Sequence, residues 1–252
     1  MLHSVINKTI RSDIMGFDGT HYQKDGKDLP RVTWILGVLD KPFLATWKMN
    51  EMARCIAHDY NDLEATGRDV DIDLLLLKAK KQPDITRDAA GARGTYIHNV
   101  LERWIKGDDI KPMLANDPDM TKLIKNAGAW FVDNEISDEQ TELTLYSDKY
   151  GYAGTADLVC KMKNKDEGQE PVTALIDFKS GKSIYDTHAL QMAAYAMAYE
   201  ETTGTRPDLC FVIHITPAYG FIAKQHMHYH QISEAFETFL KVLDIWKWRN
   251  KK

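Results

Sequence analysis

Near residue 140 the hydrophobic period of this chain changes, and that change limits its possible folds more than any other feature. From Pro30 to about Asn134 the pattern is mainly helical. Then Leu143 and Leu145 alternate with Glu142, Thr144 and Tyr146, the spacing of two that a half-buried strand requires. Ala153 to Lys161 and Val172 to Phe178 read as two more strands, joined by a polar hairpin loop from Lys163 to Pro171. Helical spacing returns from Asp186 to Thr203 and stops at Gly204. Leu209 to Thr216 and Phe221 to His228 read as a further pair of strands, and Ser233 to Trp248 as a closing amphipathic helix. A helical first half followed by strands, helix, strands and helix predicts an α/β fold, a small mixed sheet flanked by helices.

In the first half, Thr33 is expected to cap a short helix through Leu39, and Pro42 suits the first turn of a longer one reaching about Ala65. Asp71 to Lys81 and Asp88 to Lys106 read as two separate helices. Gly107 to Asp119, with Pro112 and Pro118, reads as a loop before a helix from about Asp119 to Asn134. Gly16, Gly19 and Gly26 suggest turns or a hairpin around Thr20 to Lys24. The expected organisation is a single domain over 1–252, mainly helical through 135 and built on the sheet and closing helix from 136.

Composition narrows the class without choosing a function. At 44% hydrophobic and 27% charged residues the chain is of globular type. It has no apolar run near the roughly 20 residues that span a bilayer and no signal-peptide core at its start, so no membrane is expected and the expected location is the cytoplasm. Cys55, Cys160 and Cys210 form no C-x-x-C pair, so an iron–sulfur cluster or zinc ribbon lacks a ligand set; reduced, buried thiols are expected. The net charge of −5, from 32 basic and 37 acidic residues, does not advertise a nucleic-acid binder. A local basic groove would serve, and candidate clusters are Lys78, Lys80, Lys81, Arg87 and Arg93; Lys161, Lys163 and Lys165; and Lys247, Arg249, Lys251 and Lys252.

The chemistry is carried by two acids set in apolar strands. In Gly154-Thr155-Ala156-Asp157-Leu158-Val159 and in Leu175-Ile176-Asp177-Phe178-Lys179, the carboxylate stands among small or apolar neighbours. A buried carboxylate costs several kcal/mol unless something positive compensates it, and two on adjoining strands repel. A divalent cation resolves both problems, and oxygen ligands suit Mg²⁺ or Mn²⁺, as one ion or two. Strand alternation puts Lys179 on the same face as Asp177, where its ammonium can hold an attacking water and neutralise phosphate charge. Two carboxylates, a metal and a lysine suffice for phosphodiester hydrolysis. D-x-K alone is usually a surface ion pair; its order after G-T-A-D, with each motif on a buried strand, makes the joint pattern specific.

Two helices add to this set. Gln191 and Tyr195, four residues apart, share one helix face, with Ala193, Ala194, Ala196 and Ala198 permitting close approach to the sheet. A buried Gln191 amide would need a partner, which a phosphate or a metal-held water could supply. Upstream, His98 sits at the edge of the apolar stripe Ile97, Val100, Leu101, Trp104 and Ile105. Histidines so placed are usually packed and hydrogen-bonded; beside paired carboxylates, a neutral imidazole could complete a coordination shell and bias it towards Mn²⁺.

His98, G-T-A-D ending at Asp157, D-F-K from Asp177 to Lys179, and Gln191 with Tyr195 together resemble the RecB-like branch of the PD-(D/E)XK nucleases, over roughly Arg93 to Tyr195. The stretch L-P-R-V-T-W-I-L-G-V-L-D-K-P from Leu29 is similar to phage exonucleases of that type, themselves similar to the mitochondrial genome-maintenance exonuclease. The resemblance implies a restriction-endonuclease-like core and a DNA exonuclease acting in phage or bacterial replication, recombination or repair. It implies His98, Asp157, Asp177 and the Phe178 carbonyl as metal ligands, and Asp157, Asp177 and Lys179 as the catalytic set. Gln191 and Tyr195 would position the DNA, Thr155 and Ser180 would contact phosphate, and Arg93 would bind DNA. Glu142 is a secondary candidate, for a second metal or a water. The implied partners are a single strand or duplex end and a single-strand annealing or binding protein. A structure-selective endonuclease and a non-catalytic DNA-binding recombination partner remain open alternatives.

Overall fold

A computed structural model describes residues 14–17, 21–66, 71–164, 166, 168–216 and 218–251. The start through Asp13, Gly19, Thr20, Lys165 and Lys252, on which expectations were placed above, lie outside the described residues. The fold is mixed α/β and divides into two compact units, Met1–Val38 with Ile97–Lys252, and Leu39–Tyr96.

The first unit opens with β1 (Ile14–Phe17), β2 (His21–Lys24) and β3 (Lys27–Pro30), an antiparallel sheet in that order. The β2–β3 turn lies at Asp25-Gly26, just beyond the hairpin position expected from the glycines. Both residues have positive φ, 49° and 73°, which an Asp-Gly pair accepts in a two-residue hairpin loop. Lys24 is buried on β2, its ammonium 2.7 Å from Asp148 and 4.0 Å above the Tyr146 ring. Helix α1 (Val32–Ile35) starts after Arg31, so Thr33 lies inside it rather than capping it, and a 3₁₀ turn (Leu36–Val38) follows.

The second sheet carries the remaining strands: β4 (Ser137–Ser147), β5 (Tyr152–Met162), β6 (Val172–Lys179), β7 (Leu209–Ile215) and β8 (Phe221–His228), in sequence order. Every pairing is antiparallel except β6 with β7. That parallel pair needs a crossover, which the Asp186–Thr203 helix supplies. This helix ends at Gly204 with φ 68°, the left-handed cap that glycine favours.

Numbered in chain order, the helices between the sheets are α2 (Phe43–Ala65), α3 (Ile72–Ile105), α4 (Lys111–Leu114) and α5 (Pro118–Asp133). The crossover is then α6, and the closing helix is α7 (Tyr229–Arg249). Helix α4 occupies part of the expected 107–119 loop. Helix α5 starts at Pro118, with the Asp117 carboxylate accepting the Met120 N–H at 3.0 Å. Helix α7 begins earlier than Ser233 because His228 and Gln231 form a capping box, a pair that sequence signals for helix starts do not include. Helix α6 packs on β4 to β7, and α7 packs on α6. The α6 alanines 193, 194, 196 and 198 are buried there, and Tyr152 donates its hydroxyl hydrogen to the Ala194 carbonyl at 2.9 Å.

The Leu39–Tyr96 unit comprises α2 and the first three-quarters of α3. Helix α3 is one continuous helix where two were expected. Pro83 removes a backbone donor inside it, yet the φ of proline is compatible with a helix. Thr86 Oγ1 donates to Glu51 Oε2 of α2 at 3.1 Å and accepts from Gln82 Nε2 at 3.2 Å. Cys160 and Cys210 are buried thiols as expected, whereas Cys55 is only half-buried. Among the described residues no helix is long and apolar enough to cross a membrane.

Gly154, on β5, faces Tyr195 of α6 so closely that a Cβ there would overlap the ring. Gly154→Ala is therefore expected to destabilise the fold by about 1–3 kcal/mol. Chemical denaturation measures this, and the loss should shrink in a Tyr195→Ala background, where the obstructing ring is gone.

Candidate metal centre

The site begins where two strands part. The β5–β6 ladder runs from Met162–Val172 to Leu158–Ile176 and stops. One further step would set Asp157 directly opposite Asp177, on the same face. Instead the strands diverge, and Asp157 Oδ2 accepts the Phe178 backbone N–H at 2.6 Å. On its other side β6 stays paired with β7 through Asp177–Val212, Phe178–Ile213 and Lys179–His214. Strand β7 thus keeps β6 in place while β5 leaves, opening a fork with a carboxylate on each prong.

Asp177 is 2% exposed, and its two oxygens have different surroundings. Oδ1 accepts from Gln191 Nε2 at 3.0 Å, and the same amide nitrogen donates to the Tyr195 hydroxyl at 3.2 Å. Oδ2 lies 2.6 Å from Lys179 Nζ, but the direction is that of an ionic contact and no hydrogen bond reaches this oxygen. Burial pushes the Asp177 pKa up to about 6, with Asp157's charge adding to the rise and Lys179 opposing it.

His98 of α3, Glu142 of β4 and Asp157 of β5 converge, with one ligand atom from each lying within 4.8 Å of the others. His98 Nδ1 is 3.5 Å from Asp157 Oδ1, and its ring meets Phe178 edge-on at 6.3 Å. Burial alone would lower the His98 pKa; the hydrogen bond and charge of Asp157, with the charge of Asp177, outweigh it and hold the pKa above the usual value. Glu142 lies between Thr141, paired with Leu158, and Leu143, paired with Ala156, so the register sets it opposite Asp157. Its φ of 50° is left-handed. For a non-glycine residue that costs about 1–2 kcal/mol. Burial, then Asp157 and Glu102, raise its pKa to about 7.

His98, Glu142 and Asp157 form a donor set that could hold a divalent ion, and beside it an oxygen of Asp177 accepts no hydrogen bond. Glu142, a secondary candidate in the sequence, stands in the ligand cluster itself; finding it required the β4–β5 register. Asp177 stands beside that cluster, held by Lys179 and Gln191. Gln191 and Tyr195, expected as DNA contacts, are buried beside Asp177, and the Gln191 amide nitrogen donates within the protein, to Asp177 and to the Tyr195 hydroxyl. Phe178 enters through its N–H to Asp157. Thr155 Oγ1 shares a 2.7 Å hydrogen bond with the Tyr22 hydroxyl of β2, a partner too distant in sequence to be foreseen. Ser180 is half-buried just beyond β6. Arg93 belongs to the Leu39–Tyr96 unit, its guanidinium 5.6 Å from the Tyr96 ring centroid.

No protein-family model matches the chain, and no curated protein matches it in sequence. Among solved structures it is similar to a candidate exonuclease from Eubacterium rectale, at 13% identity over 60% of this chain and 67% of that one, with a TM-score of 0.38. It is also similar to the protein SSO0001, at 15% identity over 57% of this chain and 71% of that one, with a TM-score of 0.28. Likeness of this degree carries no chemistry from those proteins to this one.

The raised Glu142 pKa gives a signed expectation. The folded protein keeps the Glu142 proton up to about pH 7, whereas the unfolded chain releases it near 4.5, so metal-free stability falls as pH rises through that window. Asp177 acts in the same direction, so Glu142→Gln should lessen the fall rather than remove it. Added Mn²⁺ at about a hundred times its Kd should raise stability by about 2.7 kcal/mol. Its affinity should increase as pH passes 7, and Glu142→Gln should flatten that rise. Thermal unfolding and metal titration across pH 5–8 measure all three.

Proposed function

We propose that this chain is a Mg²⁺- or Mn²⁺-dependent deoxyribonuclease of the PD-(D/E)XK type, in its RecB-like branch, and that it acts as an exonuclease. The observation that carries this reading is the fork at Asp157 and Asp177, with Lys179 2.6 Å from Asp177 and with His98 and Glu142 converging on Asp157. A divalent ion held by His98, Glu142, Asp157 and Asp177 would supply Lewis acidity to a phosphodiester and lower the pKa of the attacking water.

Each protein group has a separate task. The Phe178 N–H fixes the Asp157 carboxylate in orientation, leaving Oδ1 on the side of His98. Gln191 holds Asp177 through Oδ1 and is itself set by Tyr195. Lys179, with about a quarter of its side chain exposed, is the group able to reach a bound phosphate oxygen and offset its charge. Thr155 and Ser180 flank the fork as hydroxyl donors to phosphate. Exonuclease action comes from the family resemblance, while hydrolysis comes from the residues themselves.

A cleavage time course on end-labelled single- and double-stranded DNA, with Mg²⁺ and with Mn²⁺, tests the reading. Expected are metal-dependent release of nucleotides from a strand end and survival of covalently closed single-stranded circles. Rapid loss of the circles would favour an endonuclease. Lys179→Ala should lower the rate by about 100-fold or more. Asp157→Asn and Asp177→Asn should abolish cleavage while DNA binding persists. Undiminished hydrolysis by Lys179→Ala would remove the proposed chemistry.

A further inference from the structure

Strand β7 reads Leu209-Cys210-Phe211-Val212-Ile213-His214-Ile215, with His214 its one strongly polar side chain and only 7% exposed. A buried imidazole costs free energy unless it is hydrogen-bonded, and packing alone would be served by leucine. The bond it makes is specific. His214 Nε2 lies 2.7 Å from the Gly181 carbonyl oxygen. A carbonyl only accepts, so Nε2 carries the proton.

The position matters as much as the bond. In the parallel β6–β7 pairing His214 is aligned with Lys179, so the two side chains leave the sheet on the same side, on neighbouring strands. Gly181 is the second residue after Lys179 and lies in the irregular segment between β6 and α6. The hydrogen bond therefore ties the chain leaving Lys179 back to the adjacent strand. It anchors the segment between Lys179, whose ammonium meets Asp177, and α6, whose Gln191 holds the same carboxylate.

We infer that His214 is a positioning residue for Lys179, acting through the Gly181 carbonyl to fix where β6 ends. This rests on the nuclease reading, because its consequence is the placement of the Lys179 ammonium against phosphate. Displacement of a reacting group by about 1 Å costs on the order of 100-fold in rate. Loss of the clamp frees the Ser180-Gly181 segment and leaves the metal ligands in place.

The test compares His214→Leu, which keeps volume and removes the donor, with His214→Gln, whose amide can donate to the same carbonyl. Both are assayed on an end-labelled single-stranded oligonucleotide with Mn²⁺, alongside thermal unfolding. Expected are a kcat for His214→Leu reduced about 10- to 100-fold with KM within about twofold of wild type, and recovery of most of kcat in His214→Gln. In a Lys179→Ala background, His214→Leu should lower the rate no further, since its effect passes through that lysine. The inference is overturned by a His214→Leu kcat equal to wild type, by a folded His214→Gln as slow as His214→Leu, or by additive losses in the double variant. If His214→Leu does not fold, His214→Asn, whose amide is too short to span the gap, replaces it with the same expectations. A wild type that cleaves while His214→Leu is unimpaired sinks this inference alone; a wild type that does not cleave sinks the nuclease reading and this inference with it.

Discussion

Two carboxylates set one step beyond the end of a ladder between adjoining apolar strands are the constraint around which the sheet is arranged. Asp157 and Asp177 would face each other across the β5–β6 ladder if it ran one step further. Each buried charge carries an effective desolvation penalty of several kcal/mol, and like charges add to it. The ladder ends there: Asp157 takes the Phe178 N–H, while Lys179 and Gln191 take Asp177. Glu142 adds a third carboxylate, against the ammonium of Lys179 and the imidazole of His98. Burial is the main reason that the Glu142 and Asp177 pKa values stand above the usual carboxylate range, and the charge of Asp157 adds to both. A divalent cation bound there would offset the charge of these carboxylates.

The supporting structure brings small residues or buried polar ones to the places where it must approach this fork. Helix α6 reaches the sheet through alanines, and Gly154 leaves the space that the Tyr195 ring fills. Tyr22 of the first sheet enters beside Thr155, and Arg31 bridges to Ala153 on the same strand. Strand β5 is thus tied to the N-terminal strands just before it carries Asp157. On the other prong β7 keeps β6 aligned through Lys179. Rigidity on both sides of a break in pairing is what allows separated side chains to hold fixed distances.

The regular elements were largely legible, because strand and helix periods differ and their ends carry local signals. Helix Asp186–Thr203 with its Gly204 cap, and strand Phe221–His228, lie where the periodicity put them. Two of the differences share a cause. The Gln82–Thr86 hydrogen bond bridges Pro83 within α3, and a capping box of His228 with Gln231 started α7 early. In each case side-chain partners overrode a local propensity. In the candidate site, the shared face of Asp177 and Lys179 followed from strand alternation alone. The inward roles of Gln191 and Tyr195 did not, since a helix face does not say which neighbour will satisfy an amide.

What the sequence determined by itself was the α/β class, the order of elements, and the acids and lysine set in strands that otherwise bury only apolar atoms. Those are properties of near neighbours along the chain, and period and desolvation act at that range. The tertiary structure alone decided that β5 and β6 part at the acids, that Glu142 joins His98 and Asp157, and that His214 stands beside Lys179. Register and strand divergence arise from contacts between residues far apart in sequence, and no local spacing encodes them.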